Sequence, residues 1–271
     1  VCTLHDYKLL CPRYDCLRDG SPCELCFFDK RNVVRHRCLK ASRLASWIAW
    51  KESVTWSPQR LEELVDVFVC PSRFMKRKME EGGFPPEKLY ALHNFIDKQK
   101  LVGAPTLKKD HYCYVGRLSE EKGVRTLLKV ASKLPYTLKV LGTGPLEAEL
   151  RATYVESRQI EFLGHCAWET IRTILGEARC MVLPSEWYEN NPLSVLEAIS
   201  LGTPVIGADI GGIPELVVPG RTGSLFESGN ETQLSDRICE LINVERYVMA
   251  TDNPPMDSFE YCQELTKVYH R

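Results

Sequence analysis

The stretch HYCYVGRLSEEKGVRTLLKVASKLPYTLKVLGTGP, residues 111–145, decides the fold of this chain. It opens with a short apolar run, 111–117, that ends in Gly116-Arg117. Across 121–134 the apolar residues Val124, Leu127, Leu128 and Ala131 recur at helical spacing. A second apolar run, 137–141, ends in the Gly-rich turn Gly142-Thr143-Gly144-Pro145. Strand, helix and strand in that order form a βαβ unit, whose strands run parallel. The strand segments are mostly apolar, as expected of strands when helices cover both faces of their sheet.

The same alternation continues toward the C-terminus. It predicts a helix at 145–152, a strand at 160–163, a helix at 168–176, a strand at 180–183, a helix at 192–201 and a strand at 204–208. Residues 217–226 read as a turn-rich link, 231–244 as a helix and 256–271 as a final helix. Such a series defines an α/β fold with a doubly wound, Rossmann-like sheet. Toward the N-terminus the signals are sparser. A strand is expected at 1–4, a helix at 39–50, a strand at 66–70 and a strand at 89–92. The helix expected at 72–81 has Ser72 as its N-cap and Gly82-Gly83 as its stop. These pieces make a partial Rossmann-like domain. Periodicity lapses over 94–110, which reads as a hinge. The expected division is a partial N-terminal domain over 1–97, a C-terminal domain over 98–255, and a helix over 256–271 that returns to the first. The chain opens on Val1 in mid-strand, so it reads as a piece of a longer protein.

Composition excludes several classes. The 271 residues suit two domains, with 44% apolar and 26% charged residues and a formal net charge of −1. No basic excess or run of like charge points to nucleic acid. No apolar run reaches the roughly 18 residues of a membrane-spanning helix, and VCTLHDYKLL lacks the pattern of a secretory signal. With a sizeable core available, the twelve cysteines read as reduced thiols of a cytoplasmic protein.

Open α/β sheets bind ligands at the carboxyl ends of their strands. Gly116, Arg117 and Lys122 follow one strand end, where a planar guanidinium and a compact ammonium suit a diphosphate. Gly142 and Gly144 follow the next and would let a ligand approach the backbone. The most specific segment is PSEWYENNPLSVLEA, residues 184–198. Glu189 falls in a loop after a strand, Asn191 suits a helix N-cap, and Pro192 suits the first helical position. The helix N-terminus then offers the amides of Leu193 and Ser194 to an anion. Glu197, about one turn in, has the two acceptor oxygens a ribose diol needs. Gly212 and Glu215 lie in a further loop at the same sheet edge.

In order and spacing, GRLSEEKG, LGTGP, the pair Glu189 and Glu197, EAISLGTPVIGADIGGIPELV and GRTGSLF resemble the donor domain of glycosyltransferase family 4, across residues 111 to about 240. The resemblance implies the GT-B architecture of two Rossmann-like domains, and transfer of a sugar from a UDP- or GDP-sugar to a glycan or lipid-linked acceptor with retention. It implies no cofactor for the chemistry. Arg117 and Lys122 would hold the diphosphate, Glu197 the ribose, Glu189 the transferred sugar, and the segment from Ile213 to Glu215 would lie near sugar or base. His5, in the segment TLHDY at 3–7, would reach toward the sugar. The setting implied is polysaccharide assembly in the cytoplasm, with peripheral contact at the inner membrane face, where Arg31–Lys40 and Lys76–Lys78 supply positive charge. Two other readings stand beside this one: a nucleotide-sugar-binding fragment without turnover, and a non-hydrolysing nucleotide-sugar epimerase.

Cys11, Cys16, Cys23, Cys26 and Cys38 crowd a loop-like segment that has little core of its own. The Cys23/Cys26 pair has metal-ligand spacing, and His36 is nearby in sequence. A structural zinc ion is one reading, and free thiols or disulfides are the others.

Overall fold

A computed structural model describes residues 1–270 except 106, 245, 246, 248 and 250–253. The expected end of the last helix, Arg271, lies outside the described residues. The chain divides into two compact units. One comprises Val1–Asn94, Trp187–Asn191 and Phe259–Arg271, and the other Phe95–Glu186 and Pro192–Ser258.

The first unit is built on a three-stranded parallel sheet. Its elements are β1 (Cys2–Thr3), the two-stranded ribbon of β2 (Leu17–Arg18) and β3 (Ser21–Pro22), the short helices α1 (Leu25–Phe28) and α2 (Asn32–Arg35), then α3 (Arg43–Thr55) and α4 (Pro58–Leu64). β4 (Phe68–Cys70), α5 (Arg73–Glu81) and β5 (Leu89–Ala91) follow. The sheet order is β1-β4-β5, with Cys2 opposite Phe68 and Phe68 opposite Leu89. Its core gathers Leu4, Tyr7, Leu10, Phe27, Phe68, Met75, Met79, Phe84 and Leu89, so the apolar strand and helix faces expected from the sequence meet here.

Two departures from expectation have local causes. Lys40 and Ala41 adopt left-handed backbone, so α3 starts only at Arg43, where Ser42 accepts from the Ala45 amide. α4 is an added helix. Ser57 caps it and Pro58 opens it, but it buries no residue, so it shows no apolar periodicity.

Ser72 caps α5 as expected, accepting from the Met75 amide at 3.0 Å. Its hydroxyl also donates to Asn190 Oδ1 at 2.9 Å, and the residue is fully buried. Ser72→Ala should therefore cost about 2 kcal/mol, the sum of a lost cap and an unpaired buried acceptor. Urea unfolding followed by circular dichroism measures this; a loss under roughly 0.5 kcal/mol, the low end for a cap alone, would show that the second bond contributes nothing.

The second unit is the doubly wound sheet. β6 (His111–Val115), α6 (Val124–Ala131), β7 (Thr137–Leu141), α7 (Glu147–Thr153), β8 (Ile160–Gly164), α8 (Trp168–Glu177), β9 (Met181–Leu183), α9 (Leu193–Ser200) and β10 (Val205–Ala208) alternate strictly. β11 (Gly223–Phe226) and α10 (Glu231–Asn243) complete it. The six strands are all parallel, in the order β11-β10-β9-β6-β7-β8. Reading outward from β6, the chain winds first one way and then the other, so the switch point lies between β6 and β9. Tyr112, Tyr114, Leu127, Leu128, Leu138, Val182, Val195 and Ile206 form the centre of a fully buried core.

β11 is the strand that the turn-rich reading of 217–226 missed. It is an edge strand that starts on a glycine and is only half buried along its middle, so its apolar signal is weak. The helix expected over 121–134 is also divided. A tight turn at Glu120–Lys122 precedes Gly123, whose backbone is left-handed at φ +63°, and α6 begins only after it. α11 (Ser258–Tyr269) ends the described chain, and Tyr90 of the first unit donates to its Glu264.

Candidate functional site: a carboxylate, a cation and a helix N-terminus at the switch point

The loop after β6 and the loop after β9 meet at the switch point. The Glu186 amide donates to the Glu121 carbonyl at 2.9 Å, and Thr126 donates to Glu186 Oε1 at 2.6 Å. Tyr114, pointing inward from β6, donates to the Arg117 carbonyl at 2.7 Å and so ties the loop to the core. Arg117 itself is exposed, and its guanidinium enters no ion pair among the described residues. Lys122 is half buried on the adjoining turn.

Gly142 and Gly144 are crowded by protein. A Cβ on Gly142 would sit 1.9 Å from the Gly116 carbonyl oxygen, and one on Gly144 would sit 2.2 Å from that of Leu118. The Leu118 amide donates to the Thr143 carbonyl at 2.9 Å between the same two loops. These glycines therefore let the β7 loop lie against the Gly116–Leu118 backbone and hold it in position.

α9 begins beside this edge. Asn191 was expected to cap it, but the flanking residue is Pro192 and no side chain caps the helix. The Asn191 oxygen is already used: it accepts from the Asn94 amide at 3.0 Å, while Asn94 Nδ2 donates to the Asn191 carbonyl at 3.0 Å. Asn191 Nδ2 is buried without a hydrogen-bond partner. The first turn of α9 leaves the amides of Leu193 and Ser194 outside the helical ladder, as every helix start does. Leu193 is exposed there.

Glu197 follows one turn into α9, half buried between the apolar Leu196 and Ala198. It has no hydrogen bond or ion pair among the described residues. Burial pushes its carboxyl above the ordinary range, and Lys100 pulls it back only in part. A carboxylate raised on folding favours the fold at low pH and opposes it as pH climbs through the folded value. In the absence of ligand, Glu197→Gln should accordingly raise the melting temperature at neutral pH. The gain should close as pH falls through the carboxylate range. Thermal melts of both proteins across that range test it; an equal offset at every pH would remove ionisation as the cause. Gly212, buried, and Glu215, half buried, lie on the turn after β10 at the same edge.

Three expected site residues belong to the first unit. His5 is exposed directly beyond β1. Glu189 is 5% exposed and Asn191 6%, both in the Trp187–Asn191 segment. That segment is held at the carboxyl edge of the three-stranded sheet. Asn190 Nδ2 lies 3.0 Å from Met75 Sδ, and Tyr188 donates to Glu24 at 2.8 Å. Tyr188 also packs edge-on against Tyr7 and Phe74. Sequence reading missed Ser72, Asn94, Tyr114, Thr126 and Glu186 as supports of the site. Only Ser72 carried a signal, its cap position; Tyr114 acts on the loop three residues on, and Asn94, Thr126 and Glu186 act through contacts between segments remote in sequence.

The cysteines of the first unit are free thiols. Cys16 and Cys26 both hydrogen-bond through their thiols to Cys11. That holds the Cys11 thiol far below its usual range and pushes Cys16 and Cys26 above theirs. Among the described residues, no group of three or more His, Cys, Asp or Glu side chains is disposed to hold a metal ion as it stands. No described helix is long and apolar enough to cross a membrane.

An open parallel sheet wound about a β6/β9 switch point, in a chain with a second Rossmann-like sheet, is the fold of the GT-B glycosyltransferases. A solved structure of the Anabaena protein Alr3699/HepE in complex with UDP superposes with a TM-score of 0.72 at 17% identity, covering 99% of this chain and 71% of that one. Residues 96–253, more than half of the chain, match the family model described as glycosyl transferases group 1, and the chain belongs to that family. Among curated relatives it is 26% identical over 182 residues to an uncharacterized glycosyltransferase, MJ1178, of Methanocaldococcus jannaschii, covering 66% of this chain and 50% of the relative. It is 28% identical over 205 residues to a putative colanic acid biosynthesis glycosyltransferase, WcaL, of Salmonella typhimurium, covering 69% and 50%. The chain thus spans about half the length of these relatives.

Proposed function

We propose that this chain carries the donor site of a sugar transferase that uses a nucleoside-diphosphate sugar. One observation carries the reading: Glu197 is a half-buried carboxylate with no hydrogen bond or ion pair among the described residues, set beside the first-turn amides of α9 at the switch point of the sheet. Burying a carboxylate unpaired is costly, and a ribose diol donating to both its oxygens relieves that cost. The amides of Leu193 and Ser194 and the cations Arg117 and Lys122 suit the diphosphate.

In the transfer, the bond from the anomeric carbon to the diphosphate oxygen breaks, and a bond from that carbon to an acceptor hydroxyl forms as the hydroxyl loses its proton. Negative charge collects on the departing diphosphate. Cations and amides fixed in advance stabilise that charge, and removing one such donor typically costs about 2.7–4 kcal/mol. Glu189 faces the transferred sugar in this reading, and His5 orients it. Transfer proceeds with retention and without a metal in the chemistry. The acceptor is a glycan or a lipid-linked glycan, reached at the cytoplasmic face of a membrane.

The test is calorimetric titration of the chain with UDP-, GDP- and ADP-sugars, followed by assay of the products. One donor should bind, and release of free nucleotide should follow when acceptor is present. A new nucleotide sugar would assign an epimerase instead, binding without turnover would reduce the chain to a binding fragment, and no binding by the folded chain would remove the donor site.

A further inference from the structure

We propose that Glu186 is a positioning residue: bound to Thr126, it fixes the backbone on which Lys122 stands and so sets where that ammonium meets the diphosphate. The inference rests on the donor-site reading above and names a residue that supports it from outside the ligand's reach.

α6 starts without a side-chain cap of its own. Gly123 flanks the helix, and the first-turn residues Val124, Arg125 and Thr126 include no acid. Glu186 comes from the loop after β9 and brings a carboxylate to that first turn, where Thr126 donates to its Oε1 at 2.6 Å. The positive end of a helix favours a carboxylate there. A Cβ on Gly123 would lie 3.3 Å from Glu186 Cγ, which places the Glu186 side chain at the helix start. The neighbouring acids have other donors: Glu121 accepts from Ser119 at 2.6 Å, and Glu120 from Arg125 at 2.9 Å. Of these carboxylates, only that of Glu186 comes from across the switch point.

Lys122 stands between two contacts with the Glu186 segment. On one side of it, the Glu121 carbonyl accepts from the Glu186 amide at 2.9 Å. On the other, Gly123 lies so close to the Pro184 carbonyl that a Cβ would sit 1.8 Å from the oxygen. The segment itself is firmly held, since Ser185 is fully buried and its carbonyl accepts from Ser228 at 2.9 Å. Two contacts leave rotation about the line that joins them, and the bond from Thr126 to Glu186 supplies a third that stops it. A charge at the end of a long side chain shifts when its backbone turns, and misplacement of about 1 Å is enough to cost an enzyme dearly.

The test is calorimetric titration of parent and variants with the nucleotide sugar that the parent binds. Glu186→Ala and Thr126→Val should each weaken binding about tenfold, and Thr126→Ser, which keeps the hydroxyl, should bind nearly as the parent does. A merely structural role would not reproduce the coupling to Lys122: once Lys122→Ala has lowered the affinity, adding Glu186→Ala should cost nothing further. Additive losses would overturn the proposal, as would parental affinity in Thr126→Val, or a Thr126→Ser variant no better than Thr126→Val. Thr126→Val replaces only a hydroxyl by a methyl group, so it decides the matter even if Glu186→Ala does not fold. If the folded parent binds no donor, the donor-site reading fails and the proposal with it; a parent that binds, with variants that bind equally well, overturns the proposal alone.

Discussion

Gly142→Ala should destabilise the second unit by roughly 2–6 kcal/mol, a large part of the 5–15 kcal/mol typical of a native domain. Gly142 has φ +135°, a conformation that side chains rarely adopt, and the strain alone is worth about 1–3 kcal/mol. The added methyl would also overlap the Gly116 carbonyl, which belongs to backbone and cannot swing aside. Overpacking of that kind adds roughly 1–3 kcal/mol. Gly123→Ala should behave likewise, with φ +63° and a Cβ placed 1.8 Å from the Pro184 carbonyl oxygen. Gly229→Ala is the control: its φ is +78° but nothing lies within 4 Å of the new Cβ, so only about 1–2 kcal/mol of backbone strain applies. Denaturant unfolding of the three variants separates strain from collision. Equal losses at all three positions would mean that the loop contacts contribute nothing. Where Gly142→Ala still folds, donor binding should fall as well, because the displaced segment carries Arg117.

Glu197→Ala should weaken binding of the nucleotide sugar by tenfold or more, about 1.4 kcal/mol, since each hydrogen bond to a charged acceptor contributes roughly 1.5–3 kcal/mol. Arg117→Ala should produce a loss of similar size, and its loss should shrink at high salt, because Arg117 is exposed and Glu197 is half buried. Titrations of both variants at low and high ionic strength make the comparison. Glu197→Ala should also fold at least as stably as the parent, as it removes a half-buried carboxylate that has no partner among the described residues. A variant that binds donor as tightly as the parent would show that Glu197 is not a ligand, while the helix amides and Arg117 could still form an anion site. Reduced binding together with reduced stability would assign Glu197 a structural role.

Sequence alone determined the order of strands and helices in the second unit from β6 to β10, the cap at Ser72 and the family. These follow from local rules. Helical and strand periods report which face of a segment is buried, and Gly, Pro and Ser mark its ends. Periodicity does not report what that face is buried against, and that was left to the tertiary structure. It assigned Trp187–Asn191 to the first unit, through bonds such as that from Ser72 to Asn190 across 118 positions of sequence. It made Asn191 a partner of Asn94 and left α9 without a side-chain cap. It showed that Gly142 and Gly144 make room for a neighbouring loop, a need that arises only when two strands are brought side by side. It brought Cys11, Cys16 and Cys26 together, where spacing had singled out the Cys23/Cys26 pair. Each of these depends on contacts closed over long loops, and no local propensity encodes which distant segment will arrive to make them.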